Sequence, residues 1–233
     1  MKVAAIATVY NEADIIAETL THLYCEGVAS IYIVDGNSTD GTRDIYARFP
    51  VKVYDQTETF HAQPVWITRL AQVAYEDGAD WVIPFDADEF WYAPSGLTIA
   101  ETLDRYAVAD VHWAPMYQHI NFDYREPDTK PLPKVAFRAY DDVRVANGNH
   151  AAQSHDFKGT EFGLLAIREI QYRGFDHFVR KIKERNATID PSLPPTEGAH
   201  HKRYAGWSEE GLRLEWQKMV ARANVLDPIP VRR

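Results

Sequence analysis

Strand-like and helix-like stretches alternate through the first ninety residues, and this alternation constrains the fold more than any other feature. Val3 to Val9 is a short apolar run of the kind buried on both faces of a parallel sheet. Glu12 to Glu26 carries Ile16, Leu20 and Leu23/Tyr24 at helical spacing, with Gly27 placed to cap its end. Ser30 to Asp35 is a second strand, and Ser38, Thr39 and Asp40 offer caps for a helix running to Arg48. Val51 to Asp55 is a third strand, Gln63 to Tyr75 a helix, and Trp81 to Phe85 a fourth strand. Strand then helix, repeated, predicts an α/β fold: a mostly parallel central sheet flanked by helices. Ligands of such sheets sit beyond the C-terminal ends of the strands. The polar clusters fall there: Tyr10-Asn11-Glu12, Asp35-Gly36-Asn37-Ser38 and Asp86-Ala87-Asp88-Glu89.

The second half is less regular. Asp110 to Met116, Val135 to Tyr140, Val143 to Ala146 and Leu164 to Ile170 read as strands. Asn121 to Pro133 is polar and proline-rich, which predicts a loop or flap. Gly174 to Arg185 and Ser208 to Ala223 read as helices, and Pro191 to Gly198, with three prolines, as a mobile connection. A soft boundary near residue 92 separates a nucleotide-binding half, 1–92, from an acceptor-binding half, 93–233, both sharing one core.

Charge and cysteine content narrow the classes. The net charge of −9 argues against a nucleic-acid partner. Cys25 is the only cysteine, so an intrachain disulfide and a Cys-based zinc site are both excluded. Its lack of a disulfide framework fits a reducing compartment. No apolar run approaches the roughly 18 to 20 residues that span a bilayer, and the N-terminal run is too short for a signal peptide. The expectation is a cytoplasmic protein, with a peripheral contact at the inner membrane face and a homo-oligomer left open.

Asp86 and Asp88 carry the chemistry. If strand geometry persists, both carboxylates point to one face. They then repel each other unless a cation sits between them. Mg²⁺ and Mn²⁺ commonly bridge a protein carboxylate and substrate phosphates. A bare Asp-x-Asp is also consistent with an acidic surface turn. Here the buried run Trp81-Val82-Ile83-Pro84-Phe85 before it and Phe90-Trp91 after it favour the diphosphate site.

Three stretches together resemble the family 2 glycosyltransferases with the GT-A fold: Thr8-Val9-Tyr10-Asn11-Glu12, Ile33 to Thr42, and Trp81 to Phe90. The Asp-Ala-Asp-Glu-Phe ending, residues 86–90, is most similar to a branch of small bacterial enzymes. The resemblance covers residues 3 to 92, and Tyr172-Arg173 with Phe175, Phe178 and Lys181 is similar to a later segment of that branch. It implies a nucleotide-sugar donor, with UDP or GDP as its nucleotide, transfer with inversion, and Mn²⁺ or Mg²⁺. It also implies that Thr8 and Tyr10 line the base pocket with Glu12 close by, and that Asp35 sits by the nucleoside. Asp86 faces the ribose or diphosphate, and Asp88 ligates the metal. Gly36 stands where many members carry a base-reading carboxylate, and the Glu-Asp motif that supplies their catalytic base is missing.

The transfer needs a base for the acceptor hydroxyl. Asp156, Glu161, Glu169 and Asp176 are the acids considered, with Glu161 and Asp156 put forward. Glu161 is set between Gly159 and Gly163, as a close-approach loop requires. His150, in a Gly-containing loop between strands, is a candidate metal ligand opposite Asp88. His155 is a second. Arg69 can reach the donor from the helix before the fourth strand, or remain a solvated helix-face charge. His200-His201-Lys202-Arg203 can form a lid on the diphosphate. Trp207 and Trp216 either face a sugar or pack in a core. The acceptor is a glycan, a lipid-linked sugar or a small molecule. Two other readings stay open. A sugar-nucleotide nucleotidyltransferase needs a Gly-rich basic loop after the first strand, whereas Tyr10 to Asp14 is acidic and glycine-free. A non-catalytic nucleotide- or sugar-binding module would not hydrolyse a donor.

Overall fold

The computed structural model describes residues 1–56, 63–188, 203–227 and 231–232. Two compact units are present. The first comprises Met1–Tyr117, Thr129–Glu169 and Ile229–Arg233, and the second Gln118–Asp128 and Ile170–Pro228.

The first unit is the expected α/β architecture. Its strands are β1 (Val3–Val9), β2 (Ser30–Asp35), β3 (Val51–Asp55), β4 (Trp81–Pro84), β5 (Glu89–Tyr92) and β6 (Val111–Ala114). After β7 (Met116–His119) and β8 (Tyr124–Thr129) come β9 (Lys134–Arg138), β10 (Arg144–Val145), β11 (Ala152–Gln153), β12 (Thr160–Phe162) and β13 (Ala166–Glu169). The helices α1 (Ile16–Cys25), α2 (Thr42–Tyr46), α3 (Gln63–Glu76) and α4 (Ile99–Tyr106) lie between them. A seven-stranded sheet runs in the order β12-β6-β9-β4-β1-β2-β3. β1 is parallel to β2 and β4, β2 to β3, and β12 to β6, while β9 is antiparallel to β4 and β6. β1 is apolar at almost every position because both of its faces are covered. Trp66, Ile67, Leu70, Ala71 and Ala74 of α3 pack against Ala4, Ile6, Tyr32 and Val34 in one core cluster.

Several elements depart from the pattern read in the sequence. The first helix begins at Ile16, not Glu12, because Asn11 takes a left-handed φ of 53° and the carbonyl of Glu12 accepts the N–H groups of Ile15 and Ile16 in a turn. α2 ends at Tyr46, not Arg48, and starts after Gly41 at φ 96°. Asp40 accepts both the N–H and the hydroxyl of its Thr42. α4 escaped the apolar pattern, yet its start is a capping box: Thr98 accepts from Glu101 N–H at 3.2 Å and Glu101 from Thr98 N–H at 2.9 Å.

The second unit contains α5 (Phe175–Thr188), α6 (Glu209–Arg222) and β14 (Val225–Leu226), which pairs antiparallel with β8. β8 replaces the loop expected between Asn121 and Pro133. Asn121 Oδ1 accepts the N–H groups of Asp123 and Tyr124, closing a turn that reverses the chain. Its exposed, polar side chains give it no apolar alternation to detect. Phe178 centres the small core, with ring centroids 4.8 Å from Tyr172, 5.3 Å from Tyr204 and 6.1 Å from Trp216. Trp216 is partly buried against this core, and Trp207 lies edge-on to Tyr204. The proline-rich 191–198 segment and His200-His201-Lys202 lie outside the described residues.

One buried acid makes stability pH-dependent. Glu26 is 2% exposed and accepts the Ile99 N–H at the start of α4, with Arg232 Nε at 3.1 Å. Burial pushes its carboxyl up to about 7, against the opposing charge of Arg232. The folded state therefore holds this proton more tightly than the unfolded state. Between the ordinary value of 4.5 and about 7, stability falls as pH rises, and above that window it is flat. Urea unfolding at pH 5 and pH 8 should show wild type losing about 1–2 kcal/mol more than Glu26→Gln across this interval.

Candidate functional site

β4 delivers the chain to the sheet's C-terminal edge, where Phe85 N–H bonds the Ile6 carbonyl. The strand then stops. Glu89 N–H closes onto the Asp86 carbonyl at 3.0 Å, so Asp86 to Glu89 form a tight turn. This corrects the period-two expectation, because Asp86 and Asp88 sit on a turn rather than on one strand face. Ala87 faces inward, and its carbonyl accepts the Thr19 hydroxyl at 2.5 Å. Asp88 is buried, whereas the Asp86 side chain is 38% exposed.

Lys134, at the start of β9, compensates this acidic turn. Its ammonium lies 2.7 Å from Asp86 Oδ2 and 2.8 Å from Glu89 Oε1, and both Lys134 and Glu89 are buried. Glu89 Oε2 also accepts the backbone N–H of Asp86 at 3.0 Å. Burial raises the Glu89 carboxyl above the ordinary range. Burial alone would lower Lys134, but the charges of Asp86 and Glu89 outweigh it and hold the ammonium charged. Glu169, opposite Glu89 on β13, pairs with Lys130. Lys134 is not among the sequence candidates, and Glu89 enters there as part of the acidic cluster alone. The available signal was a lysine opening the buried run Val135-Ala136-Phe137, since a charge in such a strand needs a partner.

The loop after β10 approaches the same place. Gly148 N–H bonds Gln63 Oε1 and Val145 N–H bonds Thr68 Oγ1, so α3 anchors the loop. Asn149 is fully buried and its Nδ2 lies 3.5 Å from Asp86 Oδ1. His150 Nδ1 donates to the Pro133 carbonyl at 2.8 Å, which leaves the lone pair on Nε2. Burial lowers its pKa, so the ring is neutral at physiological pH. Gly148 has φ 69°, and a Cβ there would stand 2.8 Å from His150 Nε2, so only glycine keeps this ring in place.

These residues fit a divalent cation in donor chemistry: two carboxylates and an imidazole nitrogen. Their ligating atoms do not all lie within 4.8 Å of one another. The set therefore suits an ion held by one or two protein groups and completed by phosphate oxygens, which is the habit of Mg²⁺.

The ends of β1 and β2 form a second cluster. Asn11 Oδ1 accepts Thr39 N–H, Ser38 Oγ accepts Asn11 N–H, and Thr42 Oγ1 accepts Glu12 N–H, tying the two loops together. Thr8 is half-buried and Tyr10 is exposed. Gly36 packs under Tyr10, where a Cβ would come within 3.3 Å of the Tyr10 Cβ and 3.4 Å of the Val9 carbonyl. Asp35, expected beside the nucleoside, is fully buried and takes Ser38 N–H at 2.8 Å, Arg43 at 2.9 Å and the Tyr46 hydroxyl at 3.2 Å.

The other candidates have surroundings of their own. Glu161 lies on β12, three strand positions from β4 and so roughly 14 Å across the sheet. It faces the buried His112 at 3.4 Å. Asp156 is exposed beyond β11, and His155 pairs with Asp142. Arg69 is exposed on α3, stacked over the Trp66 ring.

The model of a family described as Glycosyl transferase family 2 matches residues 4–165. Glycosyltransferase AglJ of Haloferax volcanii is 30% identical over 103 residues, covering 43% of this chain and 32% of AglJ. The chain thus spans about a third of that relative's length. Among solved structures, mannosyl-3-phosphoglycerate synthase from Rubrobacter xylanophilus covers 84% of this chain and 79% of its own, with TM-score 0.48 and 14% identity. Glucosyl-3-phosphoglycerate synthase from Mycobacterium tuberculosis, solved with Mn²⁺, UDP and glucosyl-3-phosphoglycerate, covers 51% and 44%, with TM-score 0.38 and 12% identity. Among the described residues, no helix is long and apolar enough to cross a membrane.

Proposed function

We propose, from the premise that this chain belongs to glycosyl transferase family 2, that it moves a sugar from a nucleoside-diphosphate sugar to an acceptor hydroxyl with inversion. The observation that carries the reading is the acidic turn at the end of β4, with a neutral imidazole beside it.

Asp88 and His150 are the residues that would hold Mn²⁺ or Mg²⁺. When bound, the ion supplies positive charge to the diphosphate as it leaves. Asp86 is already paired with Lys134, so its role is to accept a hydrogen bond from a donor hydroxyl. Thr8, Tyr10 and the tied loops after β1 and β2 flank the base, and Tyr10 offers an exposed aromatic face for it. Of the acids weighed as the base, Glu169 stands beside this cluster, whereas Asp156 and Glu161 belong to the β11–β12 side.

Calorimetry with a panel of nucleoside diphosphates, with and without Mn²⁺, tests the donor site. Incubation with the matching nucleotide sugars then tests the enzyme. Metal-dependent binding of one nucleotide, followed by slow release of its free sugar without acceptor, is the expected result. Binding without any donor turnover would instead identify a binding module.

A further inference from the structure

We propose that Lys134 is a positioning residue of the donor site, acting through Asp86; the inference rests on the donor-site reading above. The turn is held from two directions. Glu89 Oε2 takes the backbone N–H of Asp86, and the Lys134 ammonium takes its Oδ2. Glu89 Oε1 lies 2.8 Å from the same ammonium, and Lys134 itself is only 4% exposed. One buried cation thus locks a backbone clamp to a side-chain clamp. Asp86 is left with Oδ1 as its second acceptor, which among the described residues meets Asn149 Nδ2 at 3.5 Å. Among the described residues, the buried Oδ1 of Asn149 has no hydrogen-bond partner.

Electrostatics give the lysine its second task. Asp86 and Glu89 approach one point, and a diphosphate brings further negative charge to the same place. Without the ammonium, Asp86 and the buried Glu89 face each other with no compensating charge. Asp86 relieves that repulsion most easily, because its side chain is the one with access to water. It then turns away from the ligand. A removed partner of this kind, behind the group that touches the ligand, typically weakens binding by about 10- to 100-fold. Stability alone does not describe such a residue, because a structural lysine would lower the melting temperature and leave the affinity of the folded molecules intact.

The test compares wild type with Lys134→Met, Lys134→Arg, Asp86→Asn and the double variant Asp86→Asn/Lys134→Met. Circular dichroism establishes the folded fraction, and calorimetry with UDP and with GDP, each with Mn²⁺, reads the affinity. Folded Lys134→Met should bind about 10- to 100-fold more weakly than wild type. Because Lys134 acts through Asp86, the double variant should bind no more weakly than Asp86→Asn alone. If Lys134→Met fails to fold, Lys134→Arg carries the test: it keeps the charge, but its planar fork cannot serve both carboxylates from one point, and binding should fall about tenfold. Wild-type affinity in either folded single variant, or additive losses in the double variant, overturns the proposal. If wild type binds neither nucleotide with or without Mn²⁺, the donor-site reading itself falls, and this inference falls with it.

Discussion

Asp88→Ala should abolish metal-dependent nucleotide binding, weakening it by at least about 100-fold, while leaving the protein folded. The argument starts from position. Asp88 is delivered by a turn held by three bonds of its neighbours: Glu89 N–H closes the turn, Thr19 holds the Ala87 carbonyl and Glu89 holds the Asp86 N–H. Truncating Asp88 therefore removes a carboxylate while these three bonds of the turn remain. Asp86→Asn should behave differently. It keeps an acceptor oxygen but loses the charge that Lys134 pairs with, so affinity should fall about tenfold and metal dependence should persist. The contrast separates the two aspartates: the ion's ligand is lost in the first case and a ligand hydroxyl's acceptor is weakened in the second. Calorimetry with and without Mn²⁺ reads both. Equal, metal-independent effects of the two substitutions would show that the pair shares one electrostatic role and that neither holds an ion.

The parallel part of the fold was legible because β1, β2 and β4 are buried on both faces and so are written as unbroken apolar runs. Their helices fill the gaps at the expected places, and α3 carries its apolar residues on one face. What escaped shares one physical cause: those elements are specified by polar contacts rather than by periodic apolar burial. β8 is nearly all polar and is set by Asn121. The turn through Asp86 and Asp88 is set by backbone bonds to Glu89, and strand periodicity could not foresee its reversal. At the site, the acids announced themselves by their place at a strand end. Lys134 did not, because it lies 48 residues further along the chain and only the antiparallel pairing of β9 with β4 brings it to Asp86. His150 was visible as a histidine in a glycine-containing loop, but its tautomer depends on the Pro133 carbonyl. Asp35 shows what a motif does not display: its carboxylate accepts from Ser38, Arg43 and Tyr46, partners that only the folded chain brings together.

Asp35→Ala should therefore act on stability before it acts on binding. Its carboxylate accepts from the Ser38 N–H, the Arg43 guanidinium and the buried Tyr46 hydroxyl, and no part of it reaches solvent. Burial together with the Asp35 charge holds the Tyr46 phenol protonated, well above its ordinary pKa, so it is a committed donor. Truncation leaves that donor without its acceptor in a dry site and releases the loop between β2 and α2. Each orphaned buried group costs about 1–3 kcal/mol, and Arg43 retains Asp55, so a total of about 3 kcal/mol is expected. For a chain of this size that lowers the melting temperature by roughly 6–12 °C. Asp35→Asn keeps one acceptor and should cost about half as much. Since the carboxylate is taken up by Ser38, Arg43 and Tyr46, Asp35→Asn should also bind nucleotide within about threefold of wild type, because stability and affinity uncouple when a residue supports a loop without touching what the loop holds. A stably folded Asp35→Asn protein that loses nucleotide affinity tenfold or more would reverse the assignment and return Asp35 to the nucleoside.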